Sequence, residues 1–137
     1  MKLTDKQIKN NIKYWVEGAT HDYDIYLSLK KNKKYSGALF FGHLVLEKAL
    51  KATVVGLTKN YAPRIHDLAY LATLAKLDLS KENLLLLKQV NIFNMNTRYP
   101  DDRNNFYKIC TAEFANKYYK EIEKIYRKIC QSQKLNK

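Results

Sequence analysis

Apolar residues recur at intervals of three and four along nearly the whole chain, which predicts helices and gives no alternating pattern typical of strands. Thr4 and Gln7 fit a capping box, which predicts the start of a first helix that runs to about residue 32. Its apolar stripe comprises Ile8, Ile12, Trp15, Ala19, Tyr23, Tyr26 and Leu27.

A second predicted helix, from about Ser36, is apolar on most of its circumference and should therefore be the most buried one. A short helix is expected from about His66 and Asp67 to residue 75, and Ser80 should cap a fourth helix that ends before Pro100. A last helix is predicted over about 111–131, with a seam of Ala115, Tyr118, Ile122, Ile125 and Ile129.

These elements predict an all-α fold, an up-and-down antiparallel bundle of four main helices plus a short extra helix. Four glycines, two prolines and no low-complexity linker favour one domain over residues 1–137, with a core at about 5–131.

The segment from Phe93 to Asp102 interrupts the helical pattern with polar residues that no core requires. Pro100 ends any helix that would run through it and biases Tyr99 toward extended geometry. We therefore expect a stiff, exposed turn that presents Arg98, Tyr99 and Asp101 as ligand-binding residues.

Arg98 is the strongest single candidate, because a guanidinium offers five donors in a fixed fork that matches phosphate. Tyr99 could stack on a base or donate its hydroxyl. The alternative is that Arg98 pairs with a carboxylate such as Asp22 or Glu47 and fastens the turn to the bundle.

His43, Glu47 and Lys51 recur every four residues on the second helix, so their side chains lie along one face. Such a row can organise a proton relay or position a phosphate, or it can be two ordinary i,i+4 pairs. Asp22 and Asp24 on the first helix are candidate partners for it.

The formal net charge of +12 would attract RNA, nucleotides or another polyanion. Scattered lysines that solvate a surface are the alternative explanation. Cys110 and Cys130 fit buried free thiols, and neither a secretion signal nor a membrane-spanning run is present, so we expect a cytoplasmic protein. No metal site and no cofactor are predicted, since His21, His43 and His66 are dispersed.

An ordered set of motifs resembles the HEPN domain family, and each motif alone is weak. Trp15, Ala19 and Asp22 are similar to its opening pattern, and residues 42–52 (GHLVLEKALKA) are similar to its helix-two signature. Pro63 with His66-Asp67-Leu68 resembles the next element. Phe93-Asn94, then Arg98-Tyr99-Pro100-Asp101 and Phe106-Tyr107, resemble a prokaryotic subgroup.

The resemblance implies a helical bundle that often forms homodimers, with the arginine segment in a cleft near the dimer interface. Many relatives act with a minimal nucleotidyltransferase as a toxin–antitoxin pair, and the active ones are metal-independent ribonucleases. Their signature is an arginine and a histidine separated by four to six residues. This chain departs from it, because Arg103, Asn104 and Asn105 occupy the corresponding positions.

We therefore expect a binding and regulatory module. It should contact a nucleotide, RNA or the nucleotidyltransferase partner through Arg98 and Tyr99. The alternative is an endoribonuclease toxin, for which Arg98, Tyr99, His43 and His66 are the catalytic candidates, because RNA cleavage requires a base and an acid.

Overall fold

The computed structural model describes residues 2–96 and 99–135, and the side chains of all these except 96, 134 and 135. Over that part the chain forms six helices and no strand. The helices are α1 (Asp5–Lys31), α2 (Tyr35–Thr58), α3 (Leu68–Leu74), α4 (Lys81–Asn96), α5 (Pro100–Ile109) and α6 (Ala112–Leu135).

The long hairpin of α1 and α2 is the largest packing unit of the fold. Thr4 and Gln7 form the predicted capping box at the start of α1, with each side chain accepting from the other residue's backbone N–H. At the other end, Lys33 adopts a left-handed conformation (φ 59°), and the Lys34 N–H donates to the Leu29 carbonyl. This tight connection makes the two helices antiparallel neighbours.

Helix α2 is the most buried element, as predicted, and it contacts each of the other five helices. Gly42 allows α6 to approach closely, since a Cβ there would lie 3.0 Å from the Ile122 Cδ1 atom. All five residues of the predicted α6 seam are buried. The prediction of helix α6 as a core helix is therefore confirmed.

The short third helix and the capped fourth helix are also confirmed. Asp67 caps α3 by accepting hydrogen bonds from the N–H groups of Ala69 and Tyr70, and the Ser80 hydroxyl accepts from the Asn83 N–H at the start of α4. Cys110 is buried and Cys130 half-buried, both as free thiols.

The predicted count of four main helices plus one short one is wrong, because a further helix, α5, follows the polar segment. Pro100 is its first residue, where a missing N–H costs nothing and the fixed φ suits a helix. Asp101 and Asp102 occupy its first turn, which favours acidic residues. Phe106 anchors it to the core by stacking on Phe93 at 5.2 Å between ring centroids.

Candidate functional site

Four polar side chains, His43, Glu47, Lys51 and His66, meet on the surface of α2 and form what we call the Glu47 cluster. The first three are spaced by one helical turn each and are all buried. His66 comes from the segment between α2 and α3, and its side chain is 56% exposed.

The Glu47 carboxylate is the centre of this cluster. Its Oε2 atom lies 3.1 Å from the Lys51 Nζ, and its Oε1 and Oε2 atoms lie 3.0 and 3.1 Å from the His66 Nδ1. Lys51 also lies over the Trp15 ring, with the Nζ 5.1 Å from its centroid. The buried carboxylate is thus held by a buried ammonium and presents its second contact to an exposed imidazole.

His43 holds the segment that contains His66 through a hydrogen bond to its backbone. Its Nε2 donates to the His66 backbone carbonyl at 3.1 Å, which assigns the proton to Nε2. Its Nδ1 lies 3.7 Å from the Glu47 Oε1, too far for a hydrogen bond. Burial lowers the pKa of His43, and the nearby Glu47 carboxylate only partly opposes this effect, so the ring is neutral near pH 7.

A second set of bonds ties the His66 segment to α4. Asn91 donates from Nδ2 to the Asp67 Oδ1 at 3.0 Å, and its own Oδ1 accepts from the Leu68 N–H at 3.0 Å. Sequence reasoning missed Asn91 and the Trp15 contact, because both join residues that lie far apart in the chain. Together these bonds fix where the His66 imidazole lies.

Tyr99 and Asp101 lie at the start of α5 and are exposed. Tyr99 is the N-cap residue of α5 and has the extended backbone expected before a proline (φ −113°, ψ 130°). Arg98 lies outside the described residues. No contact in the described part of the chain joins Tyr99 or Asp101 to the Glu47 cluster, so the structure brings together only the α2 candidates and His66.

Comparison with known protein families identifies a helical domain, in agreement with this fold. A sequence profile of the HEPN domain matches residues 12–133, nearly the whole chain. The chain belongs to the HEPN domain family. No curated protein and no solved structure matches the chain significantly.

The matched region contains all four members of the Glu47 cluster. Arg103, Asn104 and Asn105, which the sequence analysis singled out, are exposed on α5.

Two exposed imidazoles of the described residues lie beside a buried carboxylate, His66 beside Glu47 and His21 beside Asp22. They differ in the second partner of the carboxylate, which is the buried Lys51 for Glu47 and the half-buried Lys48 for Asp22.

Asp22 does not join the Glu47 cluster as the sequence suggested. Its Oδ2 lies 2.7 Å from the Lys48 Nζ, and its Oδ1 lies 3.2 Å from the His21 Nδ1. The reason is helical geometry, since Lys48 projects from α2 toward α1 whereas Glu47 faces Lys51 and His66. Asp24 is exposed.

Within residues 2–96 and 99–135, no helix is both long and apolar enough to cross a membrane. In the same residues, no three His, Cys, Asp or Glu side chains are grouped so that they could hold a metal ion.

Proposed function

We propose that this HEPN domain is a cytoplasmic module that binds a nucleotide or RNA and acts with a minimal nucleotidyltransferase partner in a toxin–antitoxin-like system. The observation that carries the proposal is the exposed His66 imidazole held by the buried Glu47 carboxylate. HEPN domains are generally related to nucleotides and RNA, and the net charge of +12 favours a polyanionic ligand.

The His66 geometry suits phosphate recognition. The His66 Nδ1 faces Glu47, and the side chain is 56% exposed. The second ring nitrogen, Nε2, is therefore the atom that would bind an external group in this proposal. Lys51 and His43 act as positioning residues, the first through the carboxylate and the second through the His66 carbonyl. This arrangement fixes the imidazole without using its outer nitrogen.

In this proposal the α4–α5 connection supplies the remaining ligand groups. Arg98 grips a phosphate, since a guanidinium matches its oxygens, and Tyr99, which is 61% exposed, offers a face for stacking a base. Asp101 borders the same segment.

The test is fluorescence anisotropy with a labelled single-stranded RNA, and calorimetry with mononucleotides, for wild type, Arg98→Ala and His66→Gln. Losing a charge-assisted phosphate contact should weaken binding by about tenfold for Arg98→Ala. His66→Gln should weaken it by about fivefold. Arg127→Ala on α6 is the matched control. Equal affinities for wild type and Arg98→Ala would refute the proposed site.

A second function, a metal-independent endoribonuclease, is favoured by the same His66–Glu47 pair. With Nδ1 held by the carboxylate, Nε2 can accept the proton of a ribose 2′-hydroxyl. The 2′-oxygen then bonds to phosphorus, the P–O5′ bond breaks, and the 5′-oxygen takes a proton, which leaves a cyclic phosphate and a 5′-hydroxyl.

This alternative predicts EDTA-resistant cleavage of single-stranded RNA that is lost in His66→Gln and retained in His21→Gln, an exposed histidine on α1. Wild-type protein that leaves RNA intact from about pH 5 to 9 would exclude it.

We also propose a homodimer that pairs through α4 and α5. Six of the twelve exposed large hydrophobic side chains in the described residues lie between positions 85 and 109. Leu85, Ile92 and Met95 fall on one face of α4, and HEPN domains often dimerise. Light scattering should find a dimer for wild type and for the control Leu57→Glu, and a monomer for Ile92→Glu. A monomeric wild type would refute this interface.

The pairing predicts a reading frame for a minimal nucleotidyltransferase beside the gene of this chain, and the product of such a reading frame tests it. Co-expression should yield a stable complex on gel filtration and relieve any growth arrest caused by the HEPN protein alone. Separate elution together with unchanged growth would contradict the pairing.

A further inference from the structure

A hollow of about 500 Å³ lies between the end of α1, the α1–α2 connection and the start of α6. We call it the lysine hollow. It is lined by Lys30, Lys31, Lys33, Tyr35, Asn116 and Tyr119, with two apolar residues beside them. Its volume falls in the range of small-molecule sites.

The charge of the lysine hollow is mostly uncompensated. Lys30 pairs with Glu123, with 2.8 Å between the Nζ and Oε2 atoms, and the same oxygen accepts from the Tyr26 hydroxyl. Among the described residues, no ion pair is formed by Lys31 or Lys33. One carboxylate therefore faces three ammonium groups, and an anion from outside would complete the balance.

Two helix N-termini reach the lysine hollow as well. Helix α2 begins at Tyr35, and its N-cap residue, Lys34, makes no side-chain capping bond. Helix α6 begins at Ala112, also on the wall of the hollow. The first N–H groups of a helix lack internal acceptors, and the helix dipole places partial positive charge there. At the start of α6 the Thr111 hydroxyl already accepts from the Phe114 N–H. The C-terminus of α1, which carries Lys30 and Lys31, places partial negative charge at the hollow. The start of α2, which has no side-chain cap, is therefore the end that adds most to the attraction for an anion.

Tyr119 gives an independent sign of a missing ligand. The residue lines the hollow but is only 2% exposed, and its hydroxyl has no hydrogen-bond partner in the described part of the chain. Burial raises its pKa to about 12, so the hydroxyl keeps its proton and is a donor at neutral pH. A buried donor without a partner is costly, and since the hydroxyl oxygen is itself covered, a ligand oxygen satisfies it only when the covering side chains move aside.

We propose that the lysine hollow binds a phosphate group, either of a free mononucleotide or of the RNA backbone. The lysines and the N-terminus of α2 meet the phosphate oxygens, and Asn116 and Tyr119 add neutral donors. The site is separate from the Glu47 cluster, since His43 lies eight residues beyond Tyr35 on α2, about 12 Å along the axis.

The test is calorimetry of AMP, adenosine and inorganic phosphate, and anisotropy of a short single-stranded RNA, with wild type and Lys31→Gln/Lys33→Gln. The double variant should weaken phosphate-bearing ligands by about tenfold or more, because two ammonium groups are lost. The matched control, Lys6→Gln/Lys9→Gln, removes the same charge at the far end of α1. It should change affinity by less than about twofold. Adenosine should not bind.

A second variant, Tyr119→Phe, keeps the ring and should weaken the same ligand by about fivefold, as expected for one lost hydrogen bond. Weakened AMP identifies a free nucleotide as the source, whereas weakened RNA alone identifies the backbone. Equal affinities of wild type and the Lys31→Gln/Lys33→Gln variant for both ligands, or no binding of either by wild type, would overturn the proposal. Titration of AMP into Arg98→Ala isolates the hollow, because that variant lacks the guanidinium of the other site. In that background Lys31→Gln/Lys33→Gln should still weaken AMP by about tenfold, and an unchanged affinity there would overturn the hollow without bearing on the Arg98 site.

Discussion

The Glu47 cluster and the lysine hollow both gather basic side chains around one carboxylate, but they balance charge differently. Glu47 is buried and held on two sides by Lys51 and His66. Glu123 at the lysine hollow is half-buried and meets one of three lysines. The first site is therefore closed except for an imidazole, whereas the second leaves positive charge for an external anion.

This difference predicts that the two sites contribute differently to the stability of the folded protein. A buried ion pair is costly to break, because the remaining charge is left without a partner in a poorly polarisable surrounding. Lysines at an open hollow keep their hydration and cost little when no ligand is present. The three predictions below test the contrast, from the largest expected effect to the smallest.

The largest effect is expected for Glu47→Gln. It leaves the Lys51 ammonium buried without a counter-charge and should lower the free energy of unfolding by about 3 kcal/mol in urea denaturation. Replacing both partners, as Glu47→Leu/Lys51→Met, should restore most of this loss. A double variant as unstable as Glu47→Gln would show that the pair itself contributes the stability.

A smaller effect concerns acid sensitivity. Since burial lowers the pKa of His43 below its ordinary 6.5, the unfolded chain binds the proton more readily than the folded one. Stability should be complete above about pH 7 and fall on acidification below 6.5 by up to about 1.4 kcal/mol per pH unit. His43→Gln should reduce that slope, and the exposed control His21→Gln should keep it. Equal slopes in all three proteins would remove His43 as the cause.

The smallest effect is expected at the lysine hollow. Tyr119→Phe removes a buried hydroxyl without a partner and should leave stability unchanged or raise it by up to about 1 kcal/mol. Tyr26→Phe is the matched control, because it removes the bond to Glu123 and should lower stability by about 1 kcal/mol. Thermal denaturation without ligand measures both, and a marked loss in Tyr119→Phe would mean that its hydroxyl has an internal partner.

The sequence predicted five of the six described helices and the caps of two of them, at Thr4 and Ser80, and the family resemblance was correct. Helix α5 was missed because Pro100 was taken only as a helix terminator, although proline is also favoured at the first helical position. The acidic residues Asp101 and Asp102 after it carried the same signal. The proline and the two acidic residues together therefore indicate the start of a helix as well as the end of the one before it.

The site was less predictable than the fold. The spacing of His43, Glu47 and Lys51 predicted a common face, and the structure places them so. The spacing left open whether Glu47 would bind His66, 19 residues away. It also suggested Asp22 as a partner of the polar row, whereas Asp22 pairs with Lys48. The role of Arg98 stays a prediction.

The sequence by itself determined the helices, their caps and the polar row of α2, since these depend on contacts within about four residues. Only the tertiary structure decided that Glu47 holds an exposed histidine. It also decided that Lys30, Lys31 and Lys33 lie beside the start of α6, which is about eighty residues away in the sequence. The reason is physical. Long-range pairs form where buried apolar faces bring the helices together, and local spacing does not specify which side chains then meet.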